Sequence, residues 1–147
     1  MDSSSIGKTV SLQISMESRK PMTKIESASF VVGSGLEGDR HSTSNTGRQD
    51  NQVLLMDQET LNALGLEHGI IKENVTSSGI DVASLKAGQL VALGDEVVLR
   101  ISRVCEPCSR MEEIRPGLRA DLKGRRGMLA SVDQGGTVQV GDLIWLL

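Results

Sequence analysis

The 147-residue chain has no tyrosine, one phenylalanine (Phe30) and one tryptophan (Trp145), an aromatic content of 1%. The stacking platforms on which single-stranded nucleic acids are held are almost absent, so no nucleic-acid partner is expected and Val, Leu, Ile and Met must fill the core. The two cysteines, Cys105 and Cys108, are too few for a disulfide scaffold. A zinc site built on Cys105-x-x-Cys108 would lack its second half, because the only histidines, His41 and His68, lie well upstream and far apart. No apolar run approaches bilayer length, and no basic N-terminal segment precedes an apolar stretch. Neither membrane insertion nor export is expected, and in the cytoplasm both cysteines would persist as thiols.

What remains is globular in composition, with 38% apolar and 24% charged residues. The net charge of −3 conceals an asymmetry: residues 100–126 carry eight Lys/Arg against four Asp/Glu, the remainder eight against fifteen. A locally basic stretch in an acidic chain suits one anionic ligand held in one place better than a general polyanion, and a solvated charged face is the plainer alternative.

Val10, Leu12, Ile14 and Met16 alternate with polar neighbours, the period-two signature of a half-buried strand. A second β segment runs over 24–32, followed by the aperiodic, Gly/Ser/Asn-rich stretch 33–51, a length of loop that is usually functional. Residues 52–56 read as a buried strand, and Asp57 is placed to N-cap a helix reaching about Gly65. Short β pieces return through Val97, Leu99 and Ile101, and again at 128–132, 138–140 and 143–146. A short helix is expected from Cys108 to about Ile114, ended by Pro116-Gly117. The pattern predicts a mainly β fold, a closed or nearly closed β-barrel with a few short helices, as one domain over 1–147 with 1–8 as a flexible N-terminal segment.

Two phosphate-binding patterns do not survive their context. Gly33-Ser34-Gly35-Leu36-Glu37-Gly38 fits G-x-G-x-x-G, but the polar stretch after it is no helix to present its N-terminus to a pyrophosphate. Gly7-Lys8-Thr9 resembles the end of a P-loop, yet Asp2 stands where the first glycine belongs. Cys105-Glu106-Pro107-Cys108 also suits a thiol–disulfide oxidoreductase, although the surrounding βαβ pattern of such proteins is missing.

Several separated pieces nevertheless occur in a telling order: Gly35-Leu36-Glu37-Gly38-Asp39-Arg40-His41, Arg48, Gln52-Val53-Leu54-Leu55, Glu73-Asn74-Val75-Thr76, Gly79-Ile80-Asp81-Val82, Cys105-Glu106-Pro107-Cys108, Pro116-Gly117-Leu118, Arg126-Gly127-Met128 and Val140-Gly141-Asp142. Together they resemble the MOSC domain, named for the C-terminal region of molybdenum cofactor sulfurases. The resemblance implies a β-barrel that carries sulfur or binds a molybdopterin-type cofactor through a cysteine, here Cys108 after Pro107, with Cys105 as a resolving thiol. It also implies partners: a cysteine desulfurase, which rather than this chain would hold pyridoxal phosphate, or a molybdoenzyme, and a separate electron donor. The activity would be that of a sulfur transferase or of a molybdenum-dependent reductase component.

Arg103, Arg110 and a helix N-terminus at Cys108 would favour a thiolate there. Arg40, His41, Arg48, Glu73, Asn74, Arg110 and Arg126 are the candidate cofactor-binding residues, and Cys108 the metal ligand if molybdenum is bound. Simpler readings stay open: an ion-pair network for Asp39, Arg40 and Glu73, turn closure by Asn74, cysteines buried as small apolar residues, and a non-catalytic anion-binding module. His68, in Glu67-His68-Gly69, reads as the C-terminal end of the predicted helix and stays outside the expected site.

Overall fold

The computed structural model describes residues 6–17, 19–40 and 52–147; the candidate residues His41 and Arg48 lie outside this set. Alternating or continuous apolar stretches become strands wherever they can bury a face, beginning with β1 (Ile6–Ile14), β2 (Thr23–Ile25), β3 (Ser27–Val31) and β4 (Gly35–Leu36). β5 (Val53–Asp57) is buried at all five positions, and Asp57 ends it by capping α1 (Gln58–Ala63), its carboxylate accepting from Thr60 N at 2.9 Å and Thr60 Oγ1 at 2.7 Å. β6 (Val75–Ser78), β7 (Leu90–Leu93) and β8 (Val97–Val104) follow, then α2 (Met111–Ile114) and α3 (Leu118–Asp121). β9 (Met128–Gln134), β10 (Gly136–Gln139) and β11 (Leu143–Leu146) complete the chain.

Seven strands in the order β11-β7-β8-β9-β5-β6-β1 form a sheet that closes on itself, because β1 pairs back onto β11 through Ile6–Trp145, Gly7–Ile144 and Lys8–Leu143. Closure removes the exposed edges an open sheet would present. β2 adds to the outside of β1, and β10-β3-β4 form a second small sheet whose Phe30 and Val138 join the barrel core. The expected barrel is present, with one refinement at the N-terminus. Ile6–Lys8, the last part of the segment taken as flexible, belong to β1 because β11 gives their backbone a partner.

A second apolar cluster lies apart from the barrel interior. Met56, Leu61, Ile71, Met111, Leu118 and Leu122 pack α1, α2 and α3 together. This cluster anchors the Cys105–Cys108 strap, which runs from β8 into α2. The predicted helix from Cys108 is shorter than expected: Met111 N donates to Cys108 O at 3.0 Å, so a turn precedes α2, and its N-cap Arg110 offers no side-chain bond to the helix amides. Helix-terminus stabilisation of a Cys108 thiolate therefore loses its basis. The G-x-G-x-x-G segment forms the β3–β4 turn, and no helix opens among residues 33–40.

Candidate functional site

Three pieces of chain enclose a cleft of about 710 Å3 beside the barrel. The strap after β8 supplies Cys105, Cys108 and Arg110; the loop 67–74 supplies His68 and Lys72; the segment after β1 supplies Arg19, Lys20 and Lys24. Arg40 and Arg126 complete a lining in which, among the described residues, seven Lys/Arg face two carboxylates, Glu67 and Glu113. That excess of positive charge inside a concavity concentrates anions. Arg19 does reach Glu113 at 3.6 Å, but both side chains are well exposed and the pair contributes little.

The strap is fixed at both ends. Cys105 N donates to Gly127 O at 2.9 Å, extending the β8–β9 ladder by a step, and Arg119 Nε donates to Pro107 O at 3.3 Å. Glu112 in turn accepts from Gly117 N and Arg119 N at 3.0 and 2.9 Å, which ties α2 to α3 and holds its carboxyl below the usual range. Both cysteines are free thiols, Cys105 buried on the floor of the cleft and Cys108 exposed at its rim.

Arg126 organises the floor. Its Nη1 donates to Cys105 Sγ, its Nε to Met111 Sδ at 3.5 Å and its Nη2 to Ile71 O at 3.0 Å. Burial pushes the Cys105 thiol up, while the charge and hydrogen bond of Arg126, and the charge of Arg103, pull it down, leaving it above its ordinary value.

The loop wall depends on Glu73. Fully buried, its carboxyl accepts from Gly69 N at 2.8 Å and Thr76 Oγ1 at 2.9 Å, while Oε1 has no partner among the described residues. These bonds fold the loop so that His68 and Lys72 face the cleft, with Lys72 in the left-handed region at φ 71°. Burial lowers the His68 pKa, with Lys24 adding to it, and burial lowers that of Lys72, with Arg110 adding to it.

Burial also raises the Glu73 pKa, against the opposing hydrogen bonds and the charge of Arg126. In the window between the ordinary carboxylate value and this raised one, the folded protein keeps a proton that the unfolded chain has lost, so stability falls as pH rises through it. Glu73→Gln, which carries no such proton, is expected to flatten that part of the stability profile. Denaturant midpoints taken from about pH 4 to about pH 7 check this, and profiles running parallel for the two proteins would contradict it.

The structure thus brings Cys105, Cys108, Arg40, Arg110 and Arg126 to one cleft. Glu73 lies behind the wall rather than in the lining. Asn74 borders the cleft, but its amide is committed to the barrel, accepting from Leu54 N at 3.0 Å and donating to Gln13 O at 3.2 Å. His68 is the correction in the other direction. α1 ends at Ala63 with Leu64 as its cap, so His68 is no capping residue and belongs to the cleft. Sequence reasoning also missed Lys72, whose only signal was its place directly before the Glu73-Asn74-Val75-Thr76 motif. Among the described residues no group of three or more His, Cys, Asp or Glu converges as a metal site, and no helix is long and apolar enough to cross a membrane.

A small closed barrel carrying a cationic cleft with two thiols on one strap defines the class of protein. A family model of the MOSC domain matches residues 42–145, and the chain belongs to that family. The YuaD protein of Bacillus subtilis has a similar structure, with a TM-score of 0.80 and 22% identity over 96% of this chain and 95% of that one. YiiM from Geobacillus stearothermophilus (TM-score 0.74, 17% identity, 96% of this chain and 75% of that one) and YiiM from Escherichia coli (0.72, 15%, 95% and 69%) share the fold as well. No curated protein matches the sequence.

Proposed function

We propose that this protein handles sulfur or the molybdenum cofactor through Cys108, as a carrier that accepts sulfur from a separate pyridoxal-phosphate-dependent cysteine desulfurase or as a thiolate ligand of molybdenum-pterin. The observation that carries the reading is the exposed Cys108 at the rim of a cleft that, among the described residues, carries seven cationic side chains. An exposed thiol can be reached by a partner protein, and a cationic cleft suits a persulfide anion or a phosphorylated ligand.

As a carrier, Cys108 Sγ attacks the terminal sulfur of the donor's persulfide. A new S–S bond forms on Cys108, the donor's S–S bond breaks, and the donor cysteine leaves as a thiolate; no external oxidant is needed. The cations around the rim then stabilise the persulfide anion until an acceptor removes the sulfur.

The residues present also suit the cofactor. A cleft of about 710 Å3 lies within the range of roughly 300–1,000 Å3 typical of small-molecule sites. Cys108 would be its soft thiolate ligand, and Arg40, Lys72, Arg110 and Arg126 would hold its phosphate. Bound there, the cofactor would supply two-electron redox chemistry, with electrons from a separate donor protein. The chain's own part is to bind the phosphate, fix the thiol and present the His68 imidazole, whose pKa burial lowers, to the cleft.

Intact-mass and metal analysis of protein purified anaerobically from cells supplied with molybdate tests this. A mass gain of one sulfur, or molybdenum with a pterin, is expected in the wild type. Neither, with a working desulfurase present, would overturn the reading.

A further inference from the structure

We infer that Cys105 and Cys108 form a two-thiol relay in which the rim thiol receives the sulfur and Arg126 holds it on the inner one. The inference rests on the sulfur-carrier reading above and adds a second sulfur site and a positioning residue to it.

The starting point is an unusual buried cation. Arg126 is 8% exposed, yet no carboxylate of the described residues forms an ion pair with it. Two of its three hydrogen bonds go to sulfur, at Cys105 and Met111, and the third goes to Ile71 O. Sulfur in a thiol or thioether is a weak acceptor, and a buried guanidinium with no anionic partner is costly. Glu73 feels the charge of Arg126 without forming an ion pair with it, so an anion at Cys105 would supply a counter-charge in direct contact. A persulfide is more acidic than the thiol it derives from, so a sulfur moved to Cys105 arrives as an anion beside the Arg126 guanidinium.

Access and retention are divided between the two cysteines. Cys108 is exposed and can meet a donor protein; Cys105 is 9% exposed and cannot. Both line the same cleft, within electrostatic reach of one another, on a strap fixed by Gly127 O and Arg119. In the transfer, Cys105 Sγ attacks the outer sulfur of the Cys108 persulfide. The bond between Cys105 Sγ and that sulfur forms, the bond to Cys108 Sγ breaks, and Cys108 Sγ leaves with the electron pair and takes the proton that Cys105 gave up. The oxidation level of the moving sulfur is unchanged.

The test uses the full chain and glutathione persulfide as a small-molecule donor, under anaerobic conditions with timed alkylation. Both cysteines fall in the tryptic peptide 104–110, and fragmentation before Pro107 assigns the sulfur to one or the other. In the wild type, sulfur is expected first on Cys108 and then mainly on Cys105. Cys108→Ser should slow loading of Cys105 by roughly tenfold or more, and Cys105→Ser should leave the sulfur on Cys108. Arg126→Gln should shift the Cys105:Cys108 ratio roughly tenfold toward Cys108 and move the pH profile of Cys105 alkylation upward, with Arg126→Lys restoring part of both. Should Arg126→Gln fail to fold, Arg126→Lys and Cys105→Ser carry the test. Sulfur that remains on Cys108 in the wild type, or a ratio indifferent to Arg126, would overturn the relay while leaving the carrier reading intact. A wild type that takes up no sulfur would overturn both.

Discussion

Cys108→Ser is expected to abolish sulfur loading and any thiolate-held molybdenum while leaving the fold untouched. The side chain is exposed, and its backbone contribution to the strap, the Cys108 O to Met111 N bond, survives the change. Surface substitutions of this kind usually alter stability by no more than about 0.5 kcal/mol, so thermal unfolding should be nearly superimposable on the wild type. Serine keeps the volume and loses the nucleophile, since an alcohol is scarcely ionised where a thiol is partly so. Mass spectrometry after exposure to a desulfurase and cysteine reads the loss. A serine variant that still holds one sulfur would move the reactive role to Cys105.

The largest structural effect is expected at Gly127, which follows Arg126 and leads into β9. Its φ of +108° is one that side chains rarely adopt, and an added Cβ would lie 2.5 Å from Leu55 O, a backbone atom of the barrel. Strain of roughly 1–2 kcal/mol from the left-handed region adds to about 1–3 kcal/mol of overpacking. Gly127→Ala should therefore destabilise by about 2–5 kcal/mol and disturb Arg126 with it. Gly124 makes the control: φ is +79° and nothing lies within 4 Å of its would-be Cβ. Gly124→Ala should show only the strain, about 1–2 kcal/mol. Denaturant midpoints measured on both variants compare them, and equal losses would mean that the close approach to Leu55 carries no weight.

Much of the barrel was legible because a strand's side chains alternate across the sheet. Val97, Leu99 and Ile101 are buried on one face of β8 as their spacing predicts, and Asp57 caps α1 as its position at the end of an apolar strand implies. The pairing of β1 with β11 was not legible, because closure joins residues from opposite ends of the chain and depends on strand tilt and register. The site was legible in its residue types and family motifs but not in its assembly. Cys105 and Arg126 are 21 residues apart, and only the β8–β9 hairpin brings them together. His68 and Lys72 join the cleft through the inward fold of their loop on buried Glu73, a tertiary effect that helix-end chemistry cannot reveal. The shortened α2 has a local cause, the turn at Cys108 and the lack of a capping side chain at Arg110.

The most direct test of the central claim is anaerobic incubation of the wild-type chain with a cysteine desulfurase and [35S]cysteine, followed by desalting. About one sulfur is expected to be retained per wild-type chain and released by dithiothreitol, with none retained by Cys108→Ser. An active desulfurase that leaves the wild-type chain unlabelled, or equal labelling of the two proteins, would contradict it.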